Sequence, residues 1–182
     1  MRVTGGRYAG RRLTSPSRAI RPAMDRMRES VFAVLGPLDG MTVLDLFSGS
    51  GSIAVEAASR GAELVHMVER DAGKRRYIEQ NLAWVEEECR IFITPVERFL
   101  KRPAQSYDVV FADPPFAYPF KADLLRRIVA GGAAAEDSRI VIHYPSPEEL
   151  PESVAGNTRI ANRTDDRRYG GSLVSIYDVS TS

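Results

Sequence analysis

The chain has 182 residues, 43% of them hydrophobic and 27% charged, with a formal net charge of +1, which suits one ordinary domain around a single core and argues against disorder. One cysteine, Cys89, and two histidines exclude an internal disulfide and a multi-cysteine metal site, so no metal is expected. No apolar run approaches the roughly eighteen residues of a membrane span, and Met1-Arg2 leads into glycine and arginine rather than an apolar signal segment, so a cytoplasmic protein without a membrane partner is expected.

The charge is unevenly placed. Up to residue 28 there are eight arginines (Arg2, Arg7, Arg11, Arg12, Arg18, Arg21, Arg26 and Arg28) against one acid, Asp25, and the rest of the chain is therefore acidic. A guanidinium pairs bidentately with phosphate and releases counterions, so an arginine-rich arm on an acidic body points to nucleic acid. The first piece, "RVTGGRYAGRRL", carries Gly5-Gly6 between short extended stretches and suits a small hairpin. Residues 1–20 are expected as a basic N-terminal extension. In "DRMRESVFAVL" (25–35), Met27, Val31, Phe32 and Leu35 recur at helical spacing, with Asp25 available as an N-cap after Pro22. This predicts a packed helix.

From Asp39 onward, short apolar runs alternate with helical patterns. Strands are predicted at 42–47, 62–69, 90–96, 107–113 and 138–144, with helices at 52–60, 72–85, just after 96, and 121–131. Strands separated by helix-length segments give right-handed βαβ units and a mostly parallel sheet, hence a doubly wound α/β fold. Residues 158–179 read as two antiparallel strands with Tyr169-Gly170-Gly171 near the turn.

Two stretches carry chemistry. "DLFSGSGSIAVEA" joins the first strand to its helix and holds Gly49-x-Gly51, where glycines permit a tight turn and close backbone approach to a ligand. Glu69 stands twenty positions after Gly49 at the end of the second strand, where a carboxylate meets the hydroxyls of an adenosine ribose. A dinucleotide and S-adenosylmethionine both fit this layout. Asp45 favours the second, because an anion there repels a pyrophosphate but accepts hydrogen bonds from the ammonium of a methionine moiety.

The second stretch is "VVFADPPFAYPF" (109–120), an apolar strand ending in an acid, two prolines and an aromatic. Ligands of open parallel sheets bind beyond the carboxyl ends of the strands, which is where Asp113 falls. Pro114 and Pro115 fix two φ angles and remove two donors, which stiffens the loop. The Asp113 carboxylate and the Pro114 carbonyl are placed to accept the two N–H bonds of an exocyclic amine while Phe116 stacks on its ring. Catalysis there is positioning and electrostatics, with neither a covalent intermediate nor a metal.

Asp113-Pro114-Pro115-Phe116 resembles the (D/N/S)PP(Y/F/W) motif of amino methyltransferases. With "GGRYAGRRL" (5–13), "RPAMDRMRESVFAVL" (21–35) and "LDLFSGSGSIAVEAASRGA" (44–62), the chain resembles the bacterial RsmD family from about Arg2 to Asp178. That family methylates the exocyclic N2 of one guanine in 16S ribosomal RNA. The resemblance implies a Rossmann-like class I fold over 21–182 with S-adenosyl-L-methionine as cofactor. It implies cofactor contacts by Asp45, Phe47, Gly49, Ser50, Gly51, Glu69 and Val96, and RNA contacts by Arg7, Arg11, Arg12 and Arg21. Asp113 to Phe116 would hold the target base, and the partner would be 16S rRNA within the 30S subunit or an assembly intermediate.

Three positions depart from the family pattern. Ala23 stands where Thr is common, and Pro95 where an Asp or Asn reads the adenine amino group, which leaves that contact to the Val96 backbone. His143 stands where Glu is frequent and is assigned no catalytic role. His66 is expected in the core, Trp84 and Tyr77 as packing, and Cys89 as no nucleophile because it lacks a neighbouring base. Tyr118 and Phe120 either wall the base pocket or pack. The other readings are a DNA or different RNA amino methyltransferase, a nicotinamide-dependent oxidoreductase, and a nucleic-acid-binding module with a degenerate site.

Overall fold

The computed structural model describes residues 1–16 and 22–181 and divides into two compact units, Met1–Ile93 and Thr94–Ser182. Arg18 and Arg21 lie outside the described residues.

The first unit is built on three parallel strands, β1 (Thr42–Leu46), β2 (Leu64–Glu69) and β3 (Glu88–Ile93), in the order β3-β2-β1. Val43, Leu44 and Leu46 of β1 and Val65, Met67 and Val68 of β2 are all buried. A parallel strand covered on both faces needs mostly apolar residues on each, which is why both read as near-continuous runs rather than alternating ones, broken at Asp45 in β1 and at His66 and the terminal Glu69 in β2. One helix, α1 (Pro22–Leu35), precedes β1, and two connect the strands: α2 (Ser52–Ser59) after β1, and α3 (Arg75–Leu82), which continues a short 3₁₀ turn at Ala72–Lys74.

Two expectations change here. The helix expected from Asp25 begins at Pro22, so Asp25 is no N-cap; it sits in the first turn and binds Arg28 at 2.6 Å. Proline suits the first helical turn because its missing N–H would have no helical partner there. The helix expected over 72–85 stops at Leu82, and Leu82, Trp84 and Val85 pack instead on a cluster of Val3, Tyr8, Leu13 and Val55.

That cluster anchors the basic extension. Arg2 and Arg12 form an antiparallel bridge, which is the expected small hairpin. Its turn lies on α2, where buried Glu56 accepts from the Thr4 and Gly5 backbone N–H groups at 2.9 and 3.0 Å. Gly6 has φ of 77°, and a Cβ there would lie 1.8 Å from the Ser59 carbonyl oxygen, so only glycine lets the arm approach α2 this closely.

The second unit contains α4 (Val96–Phe99), β4 (Tyr107–Ala112), α5 (Lys121–Ala130), β5 (Ala134–Pro145), β6 (Ser153–Ala155), β7 (Arg159–Tyr169) and β8 (Ser172–Thr181). β4 pairs parallel with β5, then β5-β8, β8-β7 and β7-β6 pair antiparallel. The doubly wound α/β reading with an antiparallel C-terminal hairpin therefore holds. β5 starts four residues earlier than expected because the register slips between Tyr107 and Val109, opposite Asp137 at φ of 58°. Beyond this irregularity Val109 pairs with Arg139 and Ala112 with Ile142, and that register sets the chemistry of the next loop.

Candidate active site

In the first unit the chain leaves β1 through Phe47, Gly49 and Gly51, whose φ values are 63°, 59° and 76°. Three left-handed residues in five reverse the backbone sharply and present it at the N-terminus of α2. A Cβ at Gly51 would meet Ile78 Cγ2 at 3.2 Å, so this glycine is required by packing as well as by φ.

Glu69, at the end of β2, is buried and grips this loop directly. Its Oε2 accepts from the Gly49 N–H at 2.9 Å and its Oε1 from the Asp71 N–H at 2.9 Å, with Lys74 Nζ at 3.4 Å. Ser48 Oγ donates to the Asp45 carbonyl at 2.7 Å, and the Asp45 side chain is itself buried in β1. Asn81 of α3 has no signature in the sequence. Its amide donates to the Ser50 carbonyl at 2.9 Å and the Thr14 carbonyl at 2.8 Å, while its oxygen accepts from the Thr14 N–H at 2.7 Å. One buried amide thus ties the glycine loop to the basic extension.

In the second unit Asp113 follows the last residue of β4. Pro114 is buried, Pro115 is exposed, and Phe116 is 50% exposed. The Tyr118 N–H donates to the Pro115 carbonyl at 2.7 Å, closing a tight turn. Lys121, unremarked in the sequence, is 1% exposed and donates from Nζ to the Phe116 carbonyl at 3.0 Å and the Tyr118 carbonyl at 2.5 Å, with Glu148 Oε2 at 2.8 Å. The loop is therefore wrapped around a buried ammonium: the Phe116 and Tyr118 carbonyls face Lys121, and the Pro115 carbonyl is taken up by the Tyr118 N–H of the turn. Pro114 lies outside that set.

His143, placed in β5 by its residue range, also holds the loop. Its Nδ1 lies 2.8 Å from Asp113 Oδ1 and its Nε2 lies 2.8 Å from Ser172 Oγ. Its ring meets the Phe116 ring edge-to-face at 5.3 Å. Tyr118 donates to Glu97 Oε1 at 2.7 Å, and burial together with that carboxylate holds its phenol well above the ordinary range. Phe120 meets Tyr118 edge-to-face and is itself 61% exposed. Val96, also in this unit, is buried and opens α4 after Pro95, a position where a backbone N–H has no partner within its helix.

The arginines of the extension differ in their surroundings. Arg7 pairs with Glu86 at 2.6 Å, and that carboxylate raises its pKa. Arg11 lies over the rings of Trp84 at 4.7 Å and Tyr8 at 5.6 Å, while Arg12 is exposed. Burial pushes the Cys89 thiol up to about 12, which leaves it a poor nucleophile near neutral pH. His66 is buried against Phe92, as expected of a core histidine.

The family described as Conserved hypothetical protein 95 matches residues 1–178. The Bacillus subtilis protein YlbH is 34% identical over 184 residues, which cover 97% of this chain and 98% of its own. The Escherichia coli protein named ribosomal RNA small subunit methyltransferase D is 30% identical over 154 residues, 83% of this chain and 78% of its own. Among solved structures, that of yhhF from Escherichia coli superposes with a TM-score of 0.86 at 26% identity, over 100% of this chain and 99% of the other.

Proposed function

The chain belongs to the RsmD family, and from that premise we propose that it transfers a methyl group from S-adenosyl-L-methionine to the exocyclic N2 of a guanine in 16S rRNA. The substrate context is the 30S subunit or an assembly intermediate. Residues 1–20 serve as the basic RNA-gripping extension and residues 21–182 as the methyltransferase domain.

The observation that carries the reading is the pairing of a half-exposed Phe116 with an Asp113 carboxylate held by hydrogen bond on a loop of fixed shape. A base amine needs two acceptors in one plane and a flat apolar face. The Asp113 carboxylate and the Pro114 carbonyl supply the acceptors, and Phe116 supplies the face. Holding both N–H bonds draws the nitrogen lone pair out of conjugation with the ring and orients it. The target guanine must be unpaired or flipped out for its amine to be reached.

The residues of the first unit fit an S-adenosylmethionine better than a dinucleotide. Glu69 and Asp45 are both buried acids beside the glycine loop, and two carboxylates disfavour a pyrophosphate while suiting ribose hydroxyls and an ammonium. Gly49 and Gly51 would line the methionine portion, with Phe47 and Ser50 beside them, and the Val96 N–H would meet the adenine. When bound, the sulfonium supplies an electrophilic methyl, so transfer needs no covalent enzyme intermediate. Asp113 accepts the amine hydrogen bond and balances the positive charge that grows on nitrogen until the surplus amine proton is lost to solvent.

The test is radiolabelled methyl transfer from S-adenosylmethionine to undermethylated 30S subunits, with free 16S rRNA and DNA in parallel. Incorporation into a guanine N2 that Asp113→Ala abolishes, while calorimetry still detects S-adenosylhomocysteine binding, is the expected result. Binding of NADH alone, or methylation of DNA alone, would overturn the reading.

A further inference from the structure

We infer that His143, braced by Ser172, positions the Asp113 carboxylate for the reaction by occupying Oδ1 and leaving Oδ2 to the target amine. This rests on the reading of Asp113 as the amine acceptor given above.

The arrangement follows from strand register. β4 and β5 run parallel with Ala112 opposite Ile142, so the next residues, Asp113 and His143, leave the pair side by side. β8 runs antiparallel to β5 with Pro145 opposite Ser172, which brings Ser172 near the far side of the imidazole. His143 is 3% exposed and spans the gap, with Nδ1 2.8 Å from Asp113 Oδ1 and Nε2 2.8 Å from Ser172 Oγ. Ser172 Oγ is fixed in turn by the Tyr169 carbonyl at 3.0 Å. The Phe116 ring closes one side of the imidazole at 5.3 Å.

A carboxylate only accepts hydrogen bonds, so the nitrogen facing Asp113 carries a proton. That N–H serves two purposes. It fixes the rotamer of an Asp that is still 28% exposed and would otherwise turn toward water. It also commits one oxygen, so the amine meets a single defined acceptor on Asp113. Because a displacement of about 1 Å costs on the order of 100-fold in rate, a partner that holds the acceptor acts on kcat through Asp113 without touching substrate. His143 is thus a positioning residue.

The two amide substitutions separate this role from simple packing. The Asn amide nitrogen falls near the place of imidazole Nδ1, and the Gln amide falls near Nε2. His143→Asn keeps the donor to Asp113 and loses Ser172, whereas His143→Gln fills more of the space and loses Asp113. We expect kcat for 30S methylation within a few-fold of wild type in His143→Asn, and a fall on the order of 100-fold in His143→Gln and His143→Ala. The KM for RNA and the affinity for S-adenosylhomocysteine should not change. A better His143→Gln than His143→Asn, or equal losses that follow thermal stability, would overturn the inference.

A second measurement needs no substrate. With only two histidines in the chain, ¹⁵N-labelled His143 is assigned by its loss in His143→Asn. Its Nδ1 should be protonated in the wild type, with a downfield proton that disappears in Asp113→Ala. An unprotonated Nδ1 would overturn the inference whatever the kinetics. A wild-type protein with the expected signal but no methyl transfer to any RNA would instead overturn the function reading and, with it, the positioning role.

Discussion

Lys121 donates to the Phe116 carbonyl from a buried ammonium that also meets Glu148, so the aromatic proposed to stack on the base is held by its main chain as well as by the edge-to-face contact of its ring with His143. The ring is left half in solvent on a rigid support, which is what a stacking platform requires.

Replacing Lys121 by Met keeps the stem and removes the donors. The two carbonyls then lose their partner, at a cost of about 1–3 kcal/mol for unsatisfied acceptors. Thermal denaturation should show a lowered Tm. At a temperature where the variant is fully folded, methyl transfer should still be reduced while S-adenosylhomocysteine binding, read by calorimetry, is retained. Full activity in the folded variant would mean that loop shape does not depend on the ammonium.

Glu69 should be needed for the cofactor rather than for RNA. It holds Gly49 and Asp71 by their N–H groups at 2.9 Å each, and the ribose reading gives it the cofactor hydroxyls as well. Glu69→Gln is nearly isosteric but puts an NH₂ where one oxygen accepted. Charge-assisted hydrogen bonds contribute about 1.5–3 kcal/mol, so affinity for S-adenosylhomocysteine should fall by roughly one to two powers of ten. Unchanged affinity in titration calorimetry would remove Glu69 from the cofactor site.

The outline of the fold and half of the loop chemistry were legible in the sequence for a physical reason. Parallel strands buried on both faces must be largely apolar, so β1, β2 and β4 stand out as near-continuous runs, and the proline pair marks its own loop. His143, Lys121 and Asn81 were not legible. His143 and Asn81 act on partners chosen by register or by chain reversal, as Asn81 does with Thr14, 67 positions away, and local pattern carries no record of such pairs. Lys121 reaches carbonyls only three and five positions back, but a lysine opening a helix reads as a solvated charge until the turn buries it. β6, with three residues, is too short to leave a period. Arg7 was legible as charge, but its pairing with Glu86 was not.

That pairing yields a prediction about RNA. Arg7 and Arg12 are both exposed, but Arg7 is engaged by Glu86, so Arg12→Ala should weaken RNA binding more than Arg7→Ala. Each lost phosphate contact lowers the slope of log affinity against log salt by about 1. Glu86→Gln should have the opposite effect, because it releases Arg7 to bind phosphate. Filter binding of 16S rRNA over a salt series reads all three variants. A larger effect at Arg7 than at Arg12 would show that RNA displaces Glu86.

Cys89 gives a pH dependence with a defined sign. Burial, helped by Glu87 and Glu88, raises the folded thiol from a reference near 9.0 to about 12. Below pH 9 the thiol is protonated in both states and contributes no pH dependence. Above it the unfolded chain releases the proton while the folded chain keeps it, so folded stability falls as pH rises from about 9 toward about 12. Cys89→Ser has no such ionisation. The stability difference between wild type and Cys89→Ser, measured by urea denaturation, should therefore move against the wild type across that window and stay flat between pH 6 and 8. The same variant should retain methyl transfer, because amine methylation through Asp113 uses no thiolate. Loss of activity in a folded Cys89→Ser protein would require a role for sulfur that its raised pKa argues against.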